Sequence, residues 1–342
     1  MKRPLPAPSG RALVRNLAET RKMPSTRLAV LDLARGLAVV AMAVYHLSWD
    51  LSWFGFVTWP VAQGDGWRIF AALIAGSFLF VAGISLDLAH HTGIRRQAFL
   101  RRLVIVIAAA AAVSLVTWFT FGDSFVRFGI LHCIAISSVI ALPFTRWPLW
   151  TAAAAAAFVL SLPLWASSYV FNGQLWLWTG LGTPDFGSVD YVPLAPWAGA
   201  TLSGVALSKL FRRAQVWEKL SAIRATDPAG RFIRFIGRHS LPIYLLHQPV
   251  LYGLVWTATL VAGDIDRAGN AFVRNCATAC QESLGAPDIC EQACGCTLAF
   301  LKADGIWTAI NEDPENQSLR DRMNGRYAQC LSDPELSPGT EN

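Results

Sequence analysis

Residues 27–53 read RLAVLDLARGLAVVAMAVYHLSWDLSW, an apolar stretch of membrane-crossing length that nevertheless carries Asp32, Arg35, His46 and Asp50. An ionisable group at membrane depth is expensive, so four of them mark a segment kept for function. Arg35 and His46 are eleven positions apart, three helical turns plus about 20°, and so project from one face. Asp32 lies three before Arg35 and Asp50 four after His46, which makes two stacked pairs on a single stripe. With Arg27 at the cytoplasmic edge, His46 sits roughly 28 Å along the axis, close to the far interface, while Arg35 stays near the inner side.

The whole chain agrees with that reading. Its 342 residues are 54% hydrophobic and only 15% charged, with 14 Trp and a mean hydropathy of +0.38, more apolar than a soluble domain of this size. The fold class expected is an all-α polytopic membrane protein. The net charge of +6 hides two halves: residues 1–262 carry +13 and residues 263–342 carry −7, an asymmetry that speaks for topology and against a nucleic-acid surface.

Residues 1–26 are polar and basic, without the apolar core of a cleavable signal, so the first span is expected to be an uncleaved anchor. Further spans are expected at about 67–89, 103–121, 126–144, 147–167, 191–209 and 240–262, seven in all. Most Lys and Arg before residue 263 lie in the N-terminal segment, in IRRQAFLRR (94–102), at Arg146 or in the 209–238 loop. Alternating spans put all of these on one side, which is then the cytoplasm. The domain plan is a cytoplasmic segment 1–26, a transmembrane domain 27–262 and an acidic, cysteine-rich periplasmic tail 263–342.

Arg68 and Arg127 stand at outer ends of spans, where they either snorkel or pair with Asp65 and Asp123, or help to line an outer-face site. In RFGILHCIAISS (127–138), Arg127 and His132 lie near the same outer end as His46 and Asp50. Asp190 and Tyr191 close a Trp-, Gly- and Pro-rich loop at that interface. Its aromatics suit both belt anchoring and the stacking of sugar rings. In GRHSLPIYLLHQPV (237–250), His247 and Gln248 fall about 10 Å inside the last span, just before Pro249. They read either as a buried pair satisfying a carbonyl freed by the proline, or as lining a route from the cytoplasm to His46. His90 and His91 are expected at a solvated helix end, and Cys133 as a packed thiol.

The tail holds six of the seven cysteines. CATACQESLGAPDICEQACGC (276–296) contains twin C-x3-C pairs around a Gly-Ala-Pro turn. Residues i and i+4 face the same way on a helix, so two antiparallel helices bring Cys280 opposite Cys290 and Cys276 opposite Cys294. Cys296 and Cys330 remain to pair. The spacing resembles the twin C-x3-C hairpins of small oxidised intermembrane-space proteins. A metal site is the competitor, but the C-x2-C spacing is missing and the tail has no His, so no metal is expected.

ARGLAVVAMAVYH is an Arg-x10-His signature that resembles the transmembrane acyltransferases. With SFLFVAGISL, RFGILHCIAISSVIAL, DYVPLAPWAGATLSGVAL and GRHSLPIYLLHQPVL, residues 27–255 resemble bacterial membrane proteins related to the catalytic domain of heparan-α-glucosaminide N-acetyltransferase. The resemblance implies a multi-pass protein of the bacterial inner membrane, with acetyl-CoA or another acyl-CoA bound from the cytoplasm and an acceptor on the outer face; the acceptor expected there is an amino sugar, another glycan or a lipid, a choice the resemblance does not carry over. A histidine works between them: by motif position it is His46, with Arg35 the upstream arginine. His46, oriented by Asp50, is then either the base that activates the acceptor or the group that takes the acyl chain and passes it on. Arg35, His247 and Gln248 become candidates for holding the donor, and Arg127, His132, Asp190 and Tyr191 for the acceptor. The rival functions are a transporter or proton-coupled carrier using the same groups as a relay, and a membrane anchor displaying the tail.

Overall fold

The computed structural model describes residues 28–61, 64–183, 188, 190–261, 266–333 and 338. The basic segment 1–26 and Arg27 lie outside the described residues, as do 184–187 in the Trp-rich loop and 262–265 ahead of the tail.

Helix α1, Ala29–Trp53, ends where Gly55 turns the chain with a positive φ of 80°. Helix α2 runs Asp65–His90, and α3, Arg96–Phe121, stops at Gly122. Then follow α4 (Ile130–Ala141), α5 (Leu149–Trp165), α6 (Leu194–Arg213), the short α7 (Val216–Ser221), α8 (Pro228–Arg238) and α9 (Ser240–Val261). Among the described residues three helices are long and apolar enough to cross a membrane: α1, α2, and α3 with its terminal 3-10 turn, Arg96–Ser124. The stretches expected to span at 147–167, 191–209 and 240–262 are helical, as α5, α6 and α9, but fall outside those three. The span expected at 126–144 is instead a 12-residue helix. At 1.5 Å per residue α4 covers about 18 Å, short of a hydrocarbon core of about 30 Å. Gly129 and Pro143 bound it, although the residues around them are apolar enough to read as one continuous span.

Close helix approaches order the bundle. A Cβ on Gly83 of α2 would overlap the carbonyl of Thr201, and one on Gly204 of α6 the carbonyl of Phe80. A second approach corrects the expectation of a plain cytoplasmic loop at 209–238. Its last part is α8, which lies along the first half of α1 with Gly36 against the Ile233 carbonyl and Gly237 against the Asp32 carbonyl. Asp227 caps α8 by accepting the Gly230 N–H at 2.9 Å, and Pro228 occupies its first turn, where no N–H is required. Ile236 of α8 joins Val39 and Met42 of α1 and Ile74 of α2 in one apolar cluster. Arg231, Arg234 and Arg238 recur three and four apart, so α8 is amphipathic and packs despite its charge.

Two buried carboxylates tie helices together. Asp87 of α2, with no exposed surface, receives Arg212 at 2.6 Å and faces Lys209 at 3.6 Å, both from α6. Removing such a carboxylate would strand two cations in a low-dielectric setting. His90, expected at a solvated helix end, is buried: its Nδ1 accepts the Arg95 N–H at 3.2 Å and its ring meets Phe99 edge-on. Cys133 is a fully buried free thiol.

The tail is helical: α10 (Arg267–Leu284), α11 (Pro287–Ala303), α12 (Trp307–Glu312) and α13 (Gln317–Ser332). Gly285, at φ 66°, and Pro287 make the turn between α10 and α11. Disulfides join Cys276 to Cys294 and Cys280 to Cys290, the pairs that the C-x3-C spacing predicts, and Cys296 to Cys330, the two cysteines left to pair. The Cα separations of 5.9, 5.6 and 5.8 Å suit such bridges.

Candidate functional site

Helix α1 presents its four ionisable groups as two separate sets. At the Asp32 end, Asp32 has no exposed surface and accepts Arg35 at 3.4 Å and Arg238 of α8 at 3.1 Å. Arg35 also donates to the Ser85 hydroxyl of α2 at 2.5 Å. Its guanidinium therefore fastens α1 to α2, while Arg238 ties α8 to the same carboxylate.

At the Asp50 end, helix α9 runs beside α1 and brings in His247 and Gln248. This differs from the expectation that these two lie on the inner part of a route to His46. His247 meets the His46 ring at 4.9 Å between centroids, tilted by 61°, and Gln248 donates its amide to Asp50 at 3.0 Å. The helix break between α8 and α9 lets α9 start part-way along α1, which carries position 247 up to position 46. Asp50 is 1% exposed and was expected to orient His46; its partner is Gln248 instead, because the carboxylate faces α9. The imidazole that faces His46 is His247.

Hydrogen bonding sets the tautomer of His247. Nδ1 lies 2.6 Å from the Tyr244 carbonyl, which can only accept, so Nδ1 carries the proton and Nε2 keeps its lone pair. That Nε2 is buried with no hydrogen-bond partner, as are Asp50 Oδ2 and Gln248 Oε1. Buried polar atoms are ordinarily satisfied, so three orphans within one cluster of four side chains mark a place built to receive something. Aromatic rings wall it: Tyr45 touches His46 edge-on at 5.6 Å, with Trp67 and Phe70 behind, and Tyr244 stands 5.8 Å from His247. Tyr244 also packs against the core of Phe128, Ile130 and Cys133, linking the histidine pair to the loops around residues 128 and 192.

The residues expected to hold the acceptor form the framework of those loops. His132 Nδ1 accepts the Gly129 N–H at 3.2 Å while Nε2 lies 3.4 Å from the Ser114 hydroxyl, fixing the start of α4. Asp190 accepts the Ile130 N–H at 3.1 Å, and Tyr191 donates its hydroxyl to the Leu177 carbonyl at 2.8 Å. Burial pushes the Asp190 carboxyl up to about 6, against the lowering effect of the Ile130 N–H. Arg127 reaches the carbonyl of Asp123 at 2.9 Å, not its carboxylate, and lies over the Phe125 ring. These four side chains are thus drawn into local bonds, whereas His247, Asp50 and Gln248 each keep an open valence. The pairing of His247 with His46 spans 201 positions, and no periodicity within either helix could have signalled it.

No curated protein and no solved structure matches the chain. The profile of one family, described as heparan-alpha-glucosaminide N-acetyltransferase, catalytic, matches residues 27–249, well over half of the chain. That range includes both partners of the histidine pair and ends just after Gln248. The chain therefore belongs to the family of the heparan-alpha-glucosaminide N-acetyltransferase catalytic domain, a family of acyltransferases.

Proposed function

We propose that this protein is a transmembrane acyltransferase that moves an acyl group, acetyl in the first instance, from cytoplasmic acyl-CoA to an extracytoplasmic acceptor, an amino sugar, another glycan or a lipid headgroup. The observation that carries the proposal is the half-buried His46–His247 pair with its flanking Asp50–Gln248 bond and three buried polar atoms without a partner. In this proposal the Asp32 end faces the cytoplasm, as the distribution of Lys and Arg favours, and the tail faces the periplasm of the inner membrane.

The chemistry needs a proton acceptor beside a thioester. An acceptor amine gives its proton to the imidazole of His46 while its nitrogen attacks the thioester carbonyl. Collapse breaks the C–S bond, and the imidazolium returns the proton to the departing thiolate, leaving an amide and a free thiol. His247, with its Nε2 lone pair free, steadies the charged imidazole, and the Gln248 amide holds Asp50 in place for the same task. In the two-step variant His46 takes the acyl group itself and hands it on. The commitment of Arg35 to Asp32 and Ser85 favours an anchoring role for it, and the phosphates of the donor then fall to the basic 94–102 segment at the same end.

The test incubates the purified protein with labelled acetyl-CoA and glucosamine-bearing acceptors, and reads acceptor mass together with free thiol. The expected result is an acetyl mass gain with equal release of coenzyme A thiol, abolished by His46→Ala. A row of two imidazoles and a carboxylate also suits a proton relay, which is the carrier reading. Proton-coupled uptake into vesicles with the thioester left intact would establish that one instead.

A further inference from the structure

The tail lies beyond the residues that the family profile covers, and one of its helices grips the end of the helix that carries His46. The last carbonyls of a helix lack intrahelical donors; here the Phe54, Phe56 and Gly55 N–H groups reach the Asp50, Leu51 and Ser52 carbonyls, and α10 adds side-chain donors at the same end. Arg274 Nη1 donates at 3.0 Å to the Ser52 carbonyl and at 3.0 Å to the Ser52 hydroxyl. The same hydroxyl donates to the Trp59 carbonyl at 2.8 Å. Four residues before Arg274, Asn270 donates to the Gly55 carbonyl at 2.7 Å, and one turn earlier the Arg267 guanidinium lies 4.8 Å over the Phe54 ring. Phe54, 1% exposed, rests edge-on against Tyr252 of α9 at 4.9 Å, one turn beyond Gln248. The strand of contacts thus closes on both helices that form the histidine site.

Helical geometry shows how α10 can do this. Positions 267, 270 and 274 share one face, whereas Gly269, Cys276 and Cys280 share another, centred about 130° round the helix. The second face is the one bridged to α11, through Cys276–Cys294 and Cys280–Cys290, and α11 is itself bridged to α13 through Cys296–Cys330. Asp266 caps α10 through the Gly269 N–H and pairs with Lys302 at the far end of α11. One face of α10 therefore holds the end of α1 while the other is stapled. A cation at the C-terminus of α1 also suits the helix dipole.

We propose that Arg274 is a positioning residue for acyl transfer, through which the disulfide-stapled tail fixes the Asp50 end of α1 and so sets His46 and Asp50 against His247 and Gln248. This rests on the acyltransferase proposal above. A displacement of reacting groups by about 1 Å costs up to a hundredfold in rate, so loss of the grip is expected to lower kcat about tenfold.

The experiment uses the full-length oxidised protein in wild-type, Arg274→Ala and Arg274→Lys forms, with acetyl-CoA as donor and a glucosamine-bearing acceptor. Arg274→Ala should lower kcat about tenfold with the donor KM unchanged, and Arg274→Lys, which keeps a cation and a donor, should recover part of it. Mild reduction of the disulfides should slow the wild type but add little to Arg274→Ala, because both act through the same contact. Hydrogen exchange at residues 50–56 reads the grip without any turnover and should quicken in Arg274→Ala and in the reduced wild type. Unchanged exchange there, or an unchanged kcat in Arg274→Ala, or equal slowing by reduction in both forms, would overturn the proposal. A wild type with no transfer but with the expected change in exchange would instead remove the acyltransferase reading and leave the grip standing.

Discussion

The two ends of α1 are made of similar residues put to opposite uses. At the Asp32 end a buried carboxylate meets two guanidiniums, one of which also holds a serine hydroxyl of the next helix. At the Asp50 end a buried carboxylate meets one amide, and the second oxygen of the carboxylate, the carbonyl of the amide and a nitrogen of His247 have no partner. Satisfied polar groups rigidify, and unsatisfied ones are held at a cost that a ligand or a proton can relieve. The difference teaches that an ionisable residue in a span is not by itself a catalytic residue. What separates anchor from site is how much bonding capacity is left over.

The comparison breaks most plainly at His247. Removing its imidazole should lower the transfer rate about a hundredfold, within the usual range for a group assisting proton transfer, with little loss of thermal stability. A His247→Ala protein with wild-type kcat would mean that the open valences at the Asp50 end are incidental. The Asp32 end should behave in the reverse way. Asp32→Ala strands Arg35 and Arg238, and a broken buried pair costs about 3 kcal/mol at the lower end of its range, since both guanidiniums keep some solvent contact. Thermal melting should show that loss, and an unchanged midpoint would contradict the anchoring role.

The tail sharpens the contrast on a smaller scale. Loss of the Cys276–Cys294 bridge by a paired Cys→Ser change should cost about 2–4 kcal/mol in tail stability, measured by denaturant unfolding of the oxidised protein. The smallest effect is one of pH. Hydrogen bonding from Lys302, aided by the Gly269 N–H, holds the Asp266 carboxyl below the usual carboxylate range despite some burial. A lowered carboxyl contributes stability above its unfolded value of about 3.9 and loses it as pH falls through its folded value. Tail melting should therefore be level from neutral pH down to about 4 and decline below, and Asp266→Asn should flatten that decline.

Much of this architecture is legible from local pattern. The helices α1, α2 and α3 follow from apolar runs of sufficient length, and the tail pairing follows from the i, i+4 spacing of Cys276 and Cys280 and of Cys290 and Cys294, on either side of a Gly-Ala-Pro turn. What stays hidden is tertiary. Gly129 and Pro143 shorten α4 inside a stretch whose apolar character continues past both. The arginines of α8 look like a solvated loop until Gly36 and Gly237 let that helix sit against α1. The meeting of His46 with His247 depends on where α9 begins relative to α1, which no run of residues encodes by itself.

The central claim is that chemistry belongs to the unsatisfied end of α1 and structure to the satisfied end. It is tested most directly by measuring acetyl transfer from acetyl-CoA to a glucosamine-bearing acceptor for His46→Ala and Asp32→Asn side by side, each normalised to the folded protein present. The account predicts no transfer by folded His46→Ala and substantial transfer per folded molecule by Asp32→Asn. Transfer retained by His46→Ala, or abolished in well-folded Asp32→Asn, would contradict it.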